Sequence, residues 1–207
     1  MTAILKVDTI QDTSGNNIIN ENAGTVTIGK AGNTTNIVGT LQNDGAALVT
    51  GKVLQVVSVA KTDTFSTTST SFVDVTGLTL NITPSSTSSK ILVIPNLNIG
   101  SSTDNHIALT LFRGTTAIGI GDTASNRPRA SFTGSNLTQG STYTWNMQTA
   151  SFNFLDSPNT TSATTYSVKV GGNGSTTIYV NRSGRDRDIT TEDGRYASTI
   201  TLMEILA

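Results

Sequence analysis

Ala197-Ser198-Thr199-Ile200-Thr201-Leu202-Met203-Glu204-Ile205-Leu206 decides the fold of this chain. Side chains of a strand alternate between the two faces of its sheet. Here Ile200 and Leu202 take one parity, Met203 and Ile205 the other, so both faces are apolar. Only a strand in the middle of a sheet has two such faces to cover. The run therefore predicts a central strand that closes its sheet. No segment of the chain shows convincing 3.6-residue periodicity, and the reading is all-β.

Outward from this strand, short alternating runs recur at the spacing of a sandwich. Val53 to Val59 is a Val-rich strand. Phe72 to Ile82 follows, with Leu78, Leu80 and Ile82 on one face, and Pro84-Ser85-Ser86 turns the chain into a strand begun by Lys90 to Ile94. Ile107, Leu109 and Leu111 alternate with Ala108, Thr110 and Phe112. Arg113-Gly114-Thr115 reads as a tight turn into Ala117 to Gly121, and Arg129 to Thr133 as a short edge strand. Tyr143, Trp145 and Met147 share one parity, whereas Ala150, Phe152 and Phe154 take the other, which predicts a bulge or bend near Gln148 to Ala150. Trp145, the only Trp, is expected in the core. Gly171-Gly172-Asn173-Gly174 reads as a hairpin turn between Tyr166–Val170 and Thr177–Val180.

Residues 1–50 differ. They carry two Lys, four acidic residues and no aromatic. Thr25-Val26-Thr27-Ile28-Gly29 recurs as Thr35-Asn36-Ile37-Val38-Gly39, thin strands that cannot bury a core alone but can stack on copies of themselves. The expectation is an N-terminal β-prism or intertwined stalk over 1–50, shared between chains. A turn through Asn43-Asp44-Gly45 precedes a jelly-roll-like antiparallel β-sandwich head over 51–207.

Composition narrows the function. Charged residues are 13% of the 207, the net charge is −1, and Cys is absent. That balance gives no pull toward nucleic acid. It also excludes disulfides and thiolate metal sites. The longest apolar stretch, Ile91 to Ile94, is too short to insert in a membrane, and Met1 to Asp8 does not look like a signal peptide. A surface of extracellular character without an export signal suggests a virion part that leaves its host by lysis.

The residues also resemble a known class. Ile4-Leu5-Lys6-Val7-Asp8-Thr9-Ile10-Gln11-Asp12-Thr13-Ser14-Gly15-Asn16 is similar to the opening of fibre-type structural proteins of marine tailed bacteriophages. Gly51 to Val57, Thr62 to Ser66, Ile82 to Ser86, Phe154 to Pro158 and Ala197 to Ile205 resemble the C-terminal module of such proteins. The resemblance implies an N-terminal piece that attaches to other virion proteins. It also implies a jelly-roll head, often trimeric, similar in outline to the C1q and tumour-necrosis-factor heads. It carries over no catalytic residue and no cofactor.

Chemistry-bearing motifs are few. Gly119-Ile120-Gly121-Asp122-Thr123-Ala124 fits a dinucleotide fingerprint but lacks the βαβ unit, and reads as a turn. His106 is the one imidazole. Six Asn-x-Ser/Thr sequons, Asn33, Asn81 and Asn181 among them, are a by-product of a Thr-rich chain. The notable feature is a charge cluster: Arg182, Arg185, Asp186, Arg187, Asp188, Glu192, Asp193 and Arg195 hold eight of the 27 charges. It could be a solvated loop, an intersubunit salt-bridge network, or a ligand site, since Arg and Asp both hydrogen-bond sugars and anions. Asp186 and Asp188 could contribute to a Ca²⁺ site. Asp122, Arg127 and Arg129 form a smaller cluster with the same ambiguity.

Together these observations point to a homotrimeric bacteriophage fibre or appendage subunit, exposed on the virion after assembly in the host cytoplasm. It would attach by its N-terminus and adhere to host glycan by its head, with no catalysis and no cofactor. The alternatives are a purely structural virion component and a glycan-cleaving tailspike using two carboxylates.

Overall fold

The computed structural model describes residues 51–103, 106–134 and 144–206, with the backbone of 42–43 and 46–47. The chain divides into two compact units, residues 1–48 and 49–207. In the first, β1 (Gln42–Asn43) and β2 (Ala46–Ala47) pair antiparallel, Asn43 opposite Ala46. The expected stalk over residues 1–50 otherwise lies outside the described residues.

The second unit is an antiparallel β-sandwich with no helix among the described residues. Its strands are β3 (Val53–Lys61), β4 (Phe65–Thr67), β5 (Val73–Ile82), β6 (Lys90–Ser101), β7 (Ala108–Arg113), β8 (Thr116–Ile118), β9 (Phe132–Thr133), β10 (Gln148–Ser151), β11 (Phe154–Asp156), β12 (Thr164–Gly171), β13 (Ile178–Val180) and β14 (Ser198–Ile205). The larger sheet centres on β6. β14 and then β13 run along one edge of it, β10 and β11 along the other; β3 pairs with β14, and β4 with β13. The smaller sheet has the order β5-β12-β7-β8, with β9 on β7. Successive strands repeatedly change sheet, the jelly-roll habit. The core between the layers includes Val75, Leu78, Val93, Leu111, Val168 and Leu202.

β14 is central, as its sequence requires, lying between β3 and β6. Its two faces differ: Ser198, Ile200, Leu202 and Glu204 are fully buried, whereas Thr199, Thr201, Met203 and Ile205 are half-buried on the outer side. The β7–β8 turn is as expected. Arg113 pairs with Thr116 across Gly114-Thr115, and Gly114 has φ +57°, a conformation that costs a side-chain-bearing residue.

Three expectations are corrected. The glycine run 171–174 is no hairpin: β12 belongs to the smaller sheet and β13 to the larger, so the chain crosses between layers there. No bulge occurs at Gln148–Ala150. The register against β6 is unchanged from Gln148↔Ile99 to Asp156↔Ile91, and the ladder breaks instead at Phe152–Asn153. The cause is Pro95 of β6. Its carbonyl accepts the Phe152 N–H at 3.4 Å, but it has no N–H to return. Finally, Trp145 is not in the core. It stands half-buried in the turn before β10, so the parity change marks a turn-to-strand boundary.

Candidate functional site

The charged segment 182–196 links β13 to β14, and buried polar groups tie down both of its ends. Asn181, fully buried with φ +67°, donates its amide to the carbonyls of Lys61 (2.7 Å) and Asp63 (2.9 Å) and accepts from the Ser198 hydroxyl (2.6 Å). Its side chain is thus fully engaged, and this sequon is unavailable for glycosylation. The loop then presses on the end of β6. A Cβ at Gly184 would collide with the Ser101 carbonyl, so only glycine allows the approach.

Above that contact the charges pair with one another. The Asp193 carboxylate accepts from the Ser183 hydroxyl (2.6 Å), Arg185 Nε (2.8 Å) and the Arg187 N–H (3.3 Å). Burial pushes its pKa up, but the Ser183 and Arg185 hydrogen bonds outweigh this and hold it at about 2. Glu192 bridges Arg185 and Arg187. Asp186, with φ +51°, pairs with Arg182 (2.9 Å) and with Arg195. Two guanidinium groups also stack on rings: Arg182 lies 3.9 Å from the Tyr179 centroid and Arg185 4.6 Å from that of Trp145. Seven of the eight charges are thus paired within one subunit, and among the described residues Asp188 has no ion-pair partner. The network ties the two halves of the loop to each other. It borders an open polar pocket of about 270 Å³ lined by Asp186, Arg187, Asp188, Ile189, Asp193 and Arg195.

The pocket's place in the head matters. The chain enters the sandwich at Val53, which pairs with Ile205; β3 ends at Lys61, which pairs with Ser198 beside the loop. Entry and loop thus lie at opposite ends of one strand, separated by about 26 Å at ~3.3 Å per residue.

The other candidates are not brought together. Asp122, Arg127 and Arg129 are exposed on the 119–130 loop. Arg129 donates to the Gly121 carbonyl (2.6 Å) and Arg127 to that of Ala124 (3.4 Å), and neither pairs with Asp122. Gly119 to Ala124 opens no helix, which fits the turn reading. Among the described residues no group of three His, Cys, Asp or Glu could hold a metal, and Asp186 is engaged with arginines.

Two buried carboxylates were not singled out from the sequence. Asp156 accepts from Arg113 at 2.8 and 2.9 Å and from the Tyr166 hydroxyl at 2.7 Å; burial first, then that carboxylate, raises the phenol's pKa. Glu204 accepts from Gln55 Nε2 (2.6 Å) and from the Ser85 N–H (2.7 Å) and hydroxyl (2.6 Å). Burial pushes its pKa up, but the Gln55 and Ser85 hydrogen bonds prevail and bring it to about 2. The parity of β14 was a usable signal for Glu204, which shares the face of Ile200 and Leu202.

Among known proteins, no family model matches the chain. No curated protein matches it either. Distantly similar solved structures include two from viruses. One is that of infectious bursal disease virus, Gx strain, at 12% identity and TM-score 0.36, over 82% of this chain and 47% of that one. The other is the tripod from the baseplate of bacteriophage Tuc2009, at 14% identity and TM-score 0.21, over 86% of this chain and 83% of that one.

Proposed function

We propose that this chain is a homotrimeric bacteriophage fibre or appendage subunit. Its N-terminal residues attach it to other virion proteins, and the far tip of its head adheres to host-surface glycan. The observation that carries the reading is the polarity of the head. The chain enters at one end of β3, and the self-braced charged pocket sits at the other. A rigid pocket displaying the unpaired Asp188 with Arg187 and Arg195 offers both acceptors and donors to sugar hydroxyls. The protein acts by binding, not by catalysis. The test is binding of labelled full-length protein to an array of bacterial surface polysaccharides. Asp188→Asn and Arg187→Ser should each weaken binding severalfold with melting temperature unchanged, and undiminished binding by both variants refutes the tip as the site. The neutral, internally paired loop favours one rival, a structural virion component without a receptor. In that case no polysaccharide binds the wild-type protein.

A further inference from the structure

The free edges of the sandwich are not alike. Exposed strand edges invite pairing with other chains, and proteins blunt them by shortness, charge or bulges. β4, β8 and β11 have three residues each, β9 two and β10 four. β5 is long, but it carries Asp74 and a register break. β3 has nine residues; it too has a register break, at Leu54 near its start, but from Val53 to Ala60 it contains no charge, proline or glycine. Among the described residues nothing pairs with its outer side.

The outer face beside that edge is apolar. Val56 pairs with Met203, Met203 with Leu92, and Leu92 with Leu155, which gives one row across β3, β14, β6 and β11. Val53 and Ile205 form a second row, and Ile94 flanks the first. Val53 and Val56 are 53% exposed, Leu155 52% and Leu54 41%. Toward the charged loop the same face turns polar through Ser58, Thr201, Thr199, Asn96 and Ser151. Lys90 pairs with Ile205 at the end of the second row, where its Nζ donates to Ser157, and Lys52 precedes Val53.

We infer that this face, with the free edge of β3, is where copies of the chain meet. The occupant is a second copy. Its one charged member among the described residues, Lys90, is taken up by Ser157 and leaves no charge pattern to recruit a charged partner, and the patch lies at the end where the chain enters the head. Copies joined through their preceding residues therefore present the same patch to one another. The inference rests on the oligomer proposed above and adds the surface that makes it.

The test is size exclusion with light scattering on the full chain and on Val56→Lys/Leu155→Lys. Both sites are over half exposed, so a lone subunit tolerates lysine there. The expected result is a wild-type oligomer and a double variant reduced to the mass of one chain, with an unchanged circular dichroism spectrum. A double variant that keeps the oligomeric mass overturns the face and leaves the oligomer standing. A wild-type chain that is itself monomeric overturns the oligomer and the face with it. Should the double variant misfold, the absence of cysteine offers a second measurement. In the otherwise wild-type oligomer, Leu155→Cys should be alkylated at least about tenfold more slowly than Thr79→Cys on the exposed face of the smaller sheet. Equal rates overturn the inference.

Discussion

Replacing Glu204 by Gln tests whether a buried carboxylate without a cation holds the larger sheet to the turn after β5. Oε1 receives both Ser85 donors and Oε2 receives Gln55 Nε2, which also donates to the Thr83 carbonyl at 2.7 Å. A glutamine retains one oxygen for Ser85. Its amide nitrogen then faces the Gln55 nitrogen, donor against donor. Flipping Gln55 relieves that clash but turns its oxygen to the Thr83 carbonyl. One charge-assisted hydrogen bond is lost either way, about 1.5–3 kcal/mol. For a domain of this size that is a fall of about 3–12 °C in melting temperature at neutral pH. The pH dependence gives the sharper check. The folded pKa of about 2 lies below the ordinary 4.5. The stabilisation is therefore complete above pH 4.5 and disappears as pH falls toward 2. The gap between wild type and variant should be full at pH 7 and close progressively below pH 4.5. Thermal melts of both proteins at several pH values measure it. Equal melting temperatures at neutral pH, or a gap that does not narrow in acid, would refute the reasoning.

Tyr166→Phe removes the buried hydroxyl on Asp156 while Arg113 keeps its two bonds, and should cost about 1.5–3 kcal/mol in chemical denaturation; an unchanged midpoint would deny the hydroxyl its role. Arg185→Ala strips Trp145 of its stacked guanidinium and leaves Asp193 and Glu192 to Ser183 and Arg187, so the single tryptophan's emission should shift to the red and its iodide quenching rise. Unchanged emission would mean that the stack is not held in solution.

The layered all-β architecture was legible because its cause is periodic. Alternation placed Ile200 and Leu202 in the core and made β14 central, and Gly114 named its own turn. Errors arose where the cause is a partner distant in sequence. Whether 171–174 is a hairpin or a crossover depends on which sheet receives Ile178. The ladder break at Phe152 is imposed by Pro95, which local parity at Gln148 does not reveal. Trp145 obeys a guanidinium 40 residues away rather than the core. The charge cluster was legible as a loop between two strands. That its charges would pair within one subunit was not, because the pairing depends on the left-handed backbone at Asp186 and Asp193.

The place of β14 also sets an order of events during synthesis. Among the described residues β3 has no strand partner except β14, and Gln55 and Glu204, bonded to each other, are 149 residues apart. At ~5–20 residues per second, the ribosome takes roughly 7–30 s to cover that distance. Throughout that interval a valine-rich strand, uncharged up to its last residue Lys61, waits with both edges open. The larger sheet forms from its middle last, so folding is slow by topology. A nascent chain stalled before Ser198 exposes on both sides the segment most prone to pair with another such chain.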